Sequence, residues 1–189
     1  EILNDGIDNV IAIKKGNGVN KKKIMISAHK DEIGFMVMSI DSDGYINIRP
    51  IGGIPVSLSI GNRIVFKNGT VGVLSFKKDV DNIKNNNVGD MFVDIGALNK
   101  EDAMLYVKPG DVGSYYGPIC MLKNDRVVAK ALDNRIGCYV AIRALMENTS
   151  PYNDIYYVFT SQEELGLKGA IVASRVVKPD IAVAVDVTS

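Results

Sequence analysis

The sequence predicts an α/β domain interrupted by a small inserted β-barrel, and three observations carry that prediction. Three apolar runs, "KIMISAH" (23–29), "DIYYVFTS" (154–161) and "DIAVAVDV" (180–187), are near-continuous rather than alternating, the texture of parallel strands buried on both faces. Helical periodicity follows the insert and alternates with the last two runs, which implies right-handed crossovers and a largely parallel sheet covered on both sides. Between these parts, from about Met36 to Arg126, the chain changes to short strand-like pieces cut by turn signals. The organisation that follows is a discontinuous α/β domain, 1–35 plus 127–189, with residues 36–126 as the insert.

In chain order, the run 23–29 ends at His29, the only histidine of the 189 residues, and enters the polar turn "KDE". The insert is punctuated by "DSDG", "GGIP", "IGN", "KNG", "KPGD" and "KNDR". One short helix is predicted inside it at "NKEDAMLY", with Asn99 as N-cap and Glu101 and Asp102 in the first turn. The stretch "KKDVDNIKNNNVGD" (77–90) has few apolar residues to anchor it and is expected to be a mobile loop. A helix is predicted over Asp133–Asn148, with Ile136, Val140, Ala141, Ala144 and Leu145 on one face, and a second from about Leu167 to Val176.

Composition narrows the function. A hydrophobic content of 47% with 23% charged residues is that of a globular domain with a core, and Lys+Arg equals Asp+Glu at 22 each. No charge excess draws the chain to nucleic acid or an anionic membrane. Cys120 and Cys138 are too few for a disulfide framework and form no paired metal motif. No apolar run approaches the ~18 residues a spanning helix needs, and "EILNDGIDNV" has no basic segment followed by an apolar one, so no signal peptide is expected in it. A cytoplasmic location is expected, in a chain that lacks an initiating methionine and reads as trimmed.

Ligands of open α/β sheets bind outside the carboxyl ends of the strands, and those ends carry "AHKDE", "TSQEE" and "VAVDV". His29, Glu163, Glu164 and Asp186 are therefore expected to converge, with Asp133 joining them from the strand-to-helix junction that closes "RVVAKALD". Each has a plainer reading. Asp133 suits an N-cap, and Glu163 and Glu164 suit a solvated helix start. Asp186 is harder to dismiss, because it interrupts an apolar run and a buried carboxylate needs a partner. Jointly, crowded carboxylates resist ionising unless dications neutralise them. One imidazole with carboxylates suits zinc, cobalt or manganese better than magnesium or calcium.

"AHKDEIGF", "KALDNRIGC", "SQEELGLKGA" and "AVAVDV", in that order and with "GDMFVDIGA" inside the insert, resemble the M42 family of dinuclear metallo-aminopeptidases, which includes glutamyl aminopeptidases and tetrahedral (TET) peptidases. The resemblance implies a zinc-peptidase-like α/β sandwich with an inserted barrel-like domain. It further implies His29 and Asp186 as ligands of one metal, Asp133 as the bridge, Glu164 as ligand of the other, and Glu163 as general base. Asp31 resembles the family's acid that orients the imidazole of His29. The implied cofactors are two divalent ions per full-length subunit, zinc or cobalt, with manganese as the alternative. Implied partners are short peptides cleaved at the amino terminus and further copies of the chain, from dimer to dodecamer, joined through the insert. A cis peptide between Asp133 and Asn134 is implied as well.

Two positions depart from the family pattern. Lys30 stands where an apolar residue is common. The family's remaining ligand is a histidine well downstream of the "VDV" acid, and His29 is the only histidine in this sequence, so a fragment is expected whose second metal site is incomplete and whose turnover is absent or very low. Two other classes stay open at this point: a non-catalytic metal-binding or assembly protein of the same fold, and a metallohydrolase of another amide.

Overall fold

The computed structural model describes residues 1–55, 59–76 and 88–188, and the chain divides into two compact units, Glu1–Glu32 with Ala131–Ser189, and Ile33–Lys130. In the first unit, strands β1 (Ile2–Asn4), β2 (Val10–Lys14), β3 (Lys23–His29), β12 (Asp154–Thr160) and β13 (Ile181–Ala184) form one sheet in the order β1-β2-β12-β3-β13. The three apolar runs are the parallel part: β12 and β13 both pair parallel with β3, Thr160 opposite His29 and Ala184 opposite Ser27. The antiparallel edge, β1 on β2 and β2 on β12, has no counterpart among the predicted strands, because "ILN" and "VIAIK" are too short and too close to the chain's polar start to stand out by periodicity.

Alternation along β12 sends Tyr156 and Val158 to one face and Ile155 and Tyr157 to the other. The first pair packs with Ile11, Met25 and the Ala173 and Val177 side of helix α3 (Lys168–Val177). The second packs with Ala12 and Ala141 of helix α2 (Leu132–Glu147). The sheet is thus covered by one helix on each face. Lys14 Nζ donates to the carbonyls of Leu145 and Asn148 and Lys23 Nζ to that of Val177, so two lysines from the sheet satisfy the last carbonyls of both helices.

Two expectations are corrected. The face of α2 turned to the sheet runs through Asn134, Gly137 and Ala141, with Ala144 and Leu145 partly buried, while Ile136 and Val140 are exposed. The i, i+4 spacing was present for both stripes, but only the one with small residues lets the helix lie close on β3. The run 180–187 is a four-residue edge strand exposed along its length rather than a buried one, since β13 has β3 as its one strand neighbour.

The second unit is a closed six-stranded barrel in the order β4-β5-β8-β7-β6-β9, made of Gly34–Ile40, Ile46–Ile51, Met91–Asp94, Val71–Phe76, Arg63–Phe66 and Val112–Tyr115. Every pairing is antiparallel, and a bulge between Val37 and Ser39 bends β4 as closure requires. Inward-facing Phe35, Val37, Ile46, Ile48, Ile64, Phe66, Leu74, Met91 and Val93 fill the interior. Helix α1 (Lys100–Ala103) forms as predicted, with Asn99 accepting from the Asp102 amide at 2.9 Å. A two-stranded hairpin, β10 (Cys120–Met121) with β11 (Val127–Val128), belongs to the same unit. The predicted mobile loop 77–90 lies, but for its last three residues, outside the described residues.

Leu74 is fully buried in the barrel interior. Leu74→Ala is expected to cost about 2–5 kcal/mol of stability in chemical denaturation. A loss below about 1 kcal/mol would contradict the closed barrel core.

Candidate metal centre

His29 ends β3 and is only 3% exposed. Its Nδ1 lies 3.2 Å from the backbone carbonyl of Asp31. A carbonyl only accepts, so Nδ1 carries hydrogen and Nε2 is the nitrogen turned to any metal. Nε2 lies 3.0 Å from Asp133 Oδ1, 3.8 Å from Glu163 Oε2 and 3.9 Å from Asp186 Oδ1.

Four segments deliver these groups. Because Val185 continues the parallel ladder by donating to Ser27 O, Asp186 arrives level with the end of β3. Glu163 and Glu164 sit in the turn between β12 and α3. Asp133 precedes the regular part of α2: it and Asn134 have non-helical backbone angles, and the peptide bond between them is cis, as the resemblance implies. Asp133 is not the helix cap. Fully buried Asn134 does that work, its Oδ1 accepting from the Gly137 amide at 3.1 Å and its Nδ2 donating to Val185 O at 2.8 Å. The Asp133 carboxylate is thereby free to face His29. A side chain at Gly137 would meet Asn134 Oδ1 at 2.2 Å, which is why "DNRIG" carries a glycine there.

Asp31 is placed differently from the sequence expectation. Its Oδ1 lies 3.6 Å from His29 Nδ1, beyond hydrogen-bond reach, and its two oxygens instead accept from the amides of Glu163 and Glu164 at 3.2 Å each. Asp31 therefore touches the imidazole through its backbone carbonyl and uses its carboxylate to hold the turn that bears the two glutamates. Lys30 points elsewhere, donating to Asp8 Oδ2 at 2.9 Å. Cys138 donates from Sγ to the His29 carbonyl at 3.1 Å, burial pushes its thiol pKa up, and it stands in neither candidate ligand group.

Donor atoms of His29, Asp133 and Asp186 lie within 4.8 Å of one another, and so do those of His29, Glu163 and Glu164. Donors on an ion with bonds of ~2.0–2.2 Å stand ~3–3.6 Å apart, so small side-chain shifts suffice to close either set. Among the described residues the His29 imidazole is the only basic side chain in ion-pair range of Asp31, Asp133, Glu163 and Asp186. The Glu164 carboxyl is held above its ordinary range, chiefly by burial, then by Asp133, Glu163 and Asp31, with His29 opposing. An imidazole among uncompensated carboxylates fits a borderline divalent ion such as zinc, cobalt or manganese. Among the described residues no helix is long and apolar enough to cross a membrane.

The family model for M42 glutamyl aminopeptidase matches residues 8–189. An Acetivibrio thermocellus protein described as a candidate aminopeptidase is 47% identical over 188 residues, which are 100% of this chain and 56% of that protein. A TET aminopeptidase from a marine-sediment Thaumarchaeota archaeon superposes with a TM-score of 0.89 at 34% identity, over 99% of this chain and 56% of its own. The TET1 peptidase of Pyrococcus horikoshii, described as assembling into a tetrahedron or a large octahedral shell, gives a TM-score of 0.82 at 31% identity, over 98% and 58%. The chain thus spans a little over half the length of these relatives.

A carboxyl that binds its proton more tightly folded than unfolded costs stability once pH rises above its ordinary pKa, and fully so above its raised one. Glu164→Gln is accordingly expected to raise the melting temperature of the metal-free protein at pH 7 and to leave it little changed near pH 4. An equal effect at both pH values in melts with chelator would show that the crowding is not electrostatic.

Proposed function

The chain belongs to the M42 family of glutamyl aminopeptidases, and from that premise we propose that its residues contribute to a dinuclear metal centre with which the whole protein hydrolyses the amino-terminal residue of short peptides. The observation that carries this reading is the set of five carboxylates gathered at one buried imidazole, with no Lys or Arg in ion-pair range of them among the described residues. His29 with Asp186 would hold one ion and Glu164 the other, with Asp133 available to both. A single Nε2 serves one ion only, so His29 cannot ligate in both sets at once.

When bound, the ions supply Lewis acidity to the scissile carbonyl and make the attacking water more acidic. The chain's own residues do the rest. Glu163 is the general base that takes the proton of that water and returns it to the leaving amine. The free ammonium of the substrate binds near the ions and these acids, which restricts cleavage to amino termini. Asp31 keeps the glutamate turn in place. Among relatives, the TET1 peptidase supports self-association, and we place the contact on the barrel unit, where Leu98 and Leu105 are 87% and 77% exposed.

Three measurements test this. His29→Ala and Asp186→Asn should each lower tight uptake of zinc or cobalt by elemental analysis, His29→Ala the more strongly; uptake unaffected by His29→Ala would sink the centre. In the whole protein, Glu163→Gln should lower kcat by about 100- to 10,000-fold with metal content retained. Light scattering should show an oligomer that Leu98→Asp with Leu105→Asp dissociates, and a monomer at all concentrations would exclude the assembly.

A further inference from the structure

We propose that Asn9 is a positioning residue of this centre: its buried amide fixes one end of the turn 161–164 while Asp31 holds the other, and the two together set where Glu163 and Glu164 face His29. The proposal rests on the metal reading above for its function, but not for its geometry.

Asn9 is fully buried, far from any apolar role, and every polar group of its side chain is used. Nδ2 donates to Asp5 Oδ2 at 2.6 Å and to the Gly169 carbonyl at 2.9 Å. Oδ1 accepts from the Ser161 amide at 2.9 Å and from Ser161 Oγ at 3.4 Å. Its own amide donates to Asp5 Oδ1 at 2.9 Å, and Ser161 Oγ also donates to the Ile7 carbonyl. One side chain therefore joins the amino-terminal loop, the residue that follows β12, and the first turn of α3.

That point of attachment matters because Ser161 stands two residues before Glu163. Gln162 between them takes a left-handed conformation at φ 55°, so the chain reverses at once and the two glutamates follow from wherever Ser161 is held. On the far side, the Glu163 and Glu164 amides are gripped by Asp31, and the Glu163 carbonyl accepts from the amides of Gly166 and Leu167 at 2.8 and 2.9 Å. There is no slack at the Asn9 end either. A Cβ on Gly169 would lie 2.1 Å from the Ser161 carbonyl and 2.6 Å from Asn9 Oδ1, so the start of α3 presses directly on the clamp. Asn9 itself is in neither candidate ligand set. Its effect on the centre is thus exerted through the backbone of the glutamate turn.

The test is Asn9→Asp in the whole protein, titrated with Co²⁺ alone by calorimetry and visible absorption well below the melting temperature, beside Glu164→Gln and Asp186→Asn. The variant keeps size and the acceptor for Ser161 but loses both Nδ2 donations. Co²⁺ affinity is expected to fall about 10- to 100-fold in the step that Glu164→Gln removes, with the step that Asp186→Asn removes unchanged. A variant that only melts earlier, with both cobalt steps and the spectrum as in the wild type, overturns the proposal. Should Asn9→Asp fail to fold, hydrogen exchange of the wild type decides: the Ser161, Glu163 and Glu164 amides should be protected at least 1,000-fold, and exchange at open-loop rates overturns the clamp. Wild-type protein that takes up no Co²⁺ would sink the metal reading, and the same exchange measurement would still judge the clamp.

Discussion

Carboxylates brought within a few ångströms of one another repel, and each one's burial makes ionisation harder still. The first unit of this chain is built around that constraint. It brings Asp31, Asp133, Glu163, Glu164 and Asp186 to a single imidazole that is almost completely buried, and Glu164 holds its proton more tightly than usual, first through burial and then through the neighbouring Asp133. Such an arrangement is stable in the charged form only with added positive charge, and the donor set is one that divalent ions of the zinc type satisfy. Folding places the repulsion, and a bound divalent ion would relieve it.

Holding repelling groups together requires that their backbones be fixed by something other than their own side chains. The structure does this with neutral and paired partners that sit one layer back. Asn134 caps α2 and ties it to Val185, which sets Asp133 on one side and Asp186 on the other. Asp31 takes the two amides of the glutamate turn, and the carbonyl of the same residue orients His29. Asn9 and Gly169 close the turn from behind. Several of these supports are small or amide residues in tight places, where a longer side chain would collide with backbone.

The barrel unit solves a separate problem. Its six strands close on themselves and bury their own core, so it needs nothing from the sheet of the first unit to satisfy its backbone. What it leaves outside is apolar in places, at Leu98 and Leu105 among others, and that is surface available for association.

The sequence by itself determined the architecture and which residues are candidates for the centre. Near-continuous apolar runs read as strands covered on both sides, which β12 is and the exposed β13 is not, dense turn signals read as short antiparallel strands, and acids at the carboxyl ends of parallel strands have one crevice to meet in. What only the tertiary structure decided was orientation. Local pattern could not tell whether Asp133 or Asn134 caps α2, since both residue types cap well, and the answer came from Val185 lying within reach of the Asn134 amide. It could not tell that Asp31 grips the amides of residues 163 and 164, because those partners are separated by 132 and 133 positions. Nor could it single out Asn9, whose partners Ser161 and Gly169 lie 152 and 160 positions away, or the stripe by which α2 meets the sheet, which depends on how closely β3 approaches. Periodicity is a property of neighbours along the chain, whereas hydrogen-bond geometry is a property of neighbours in space, and the second is fixed only once the sheet has brought distant segments together.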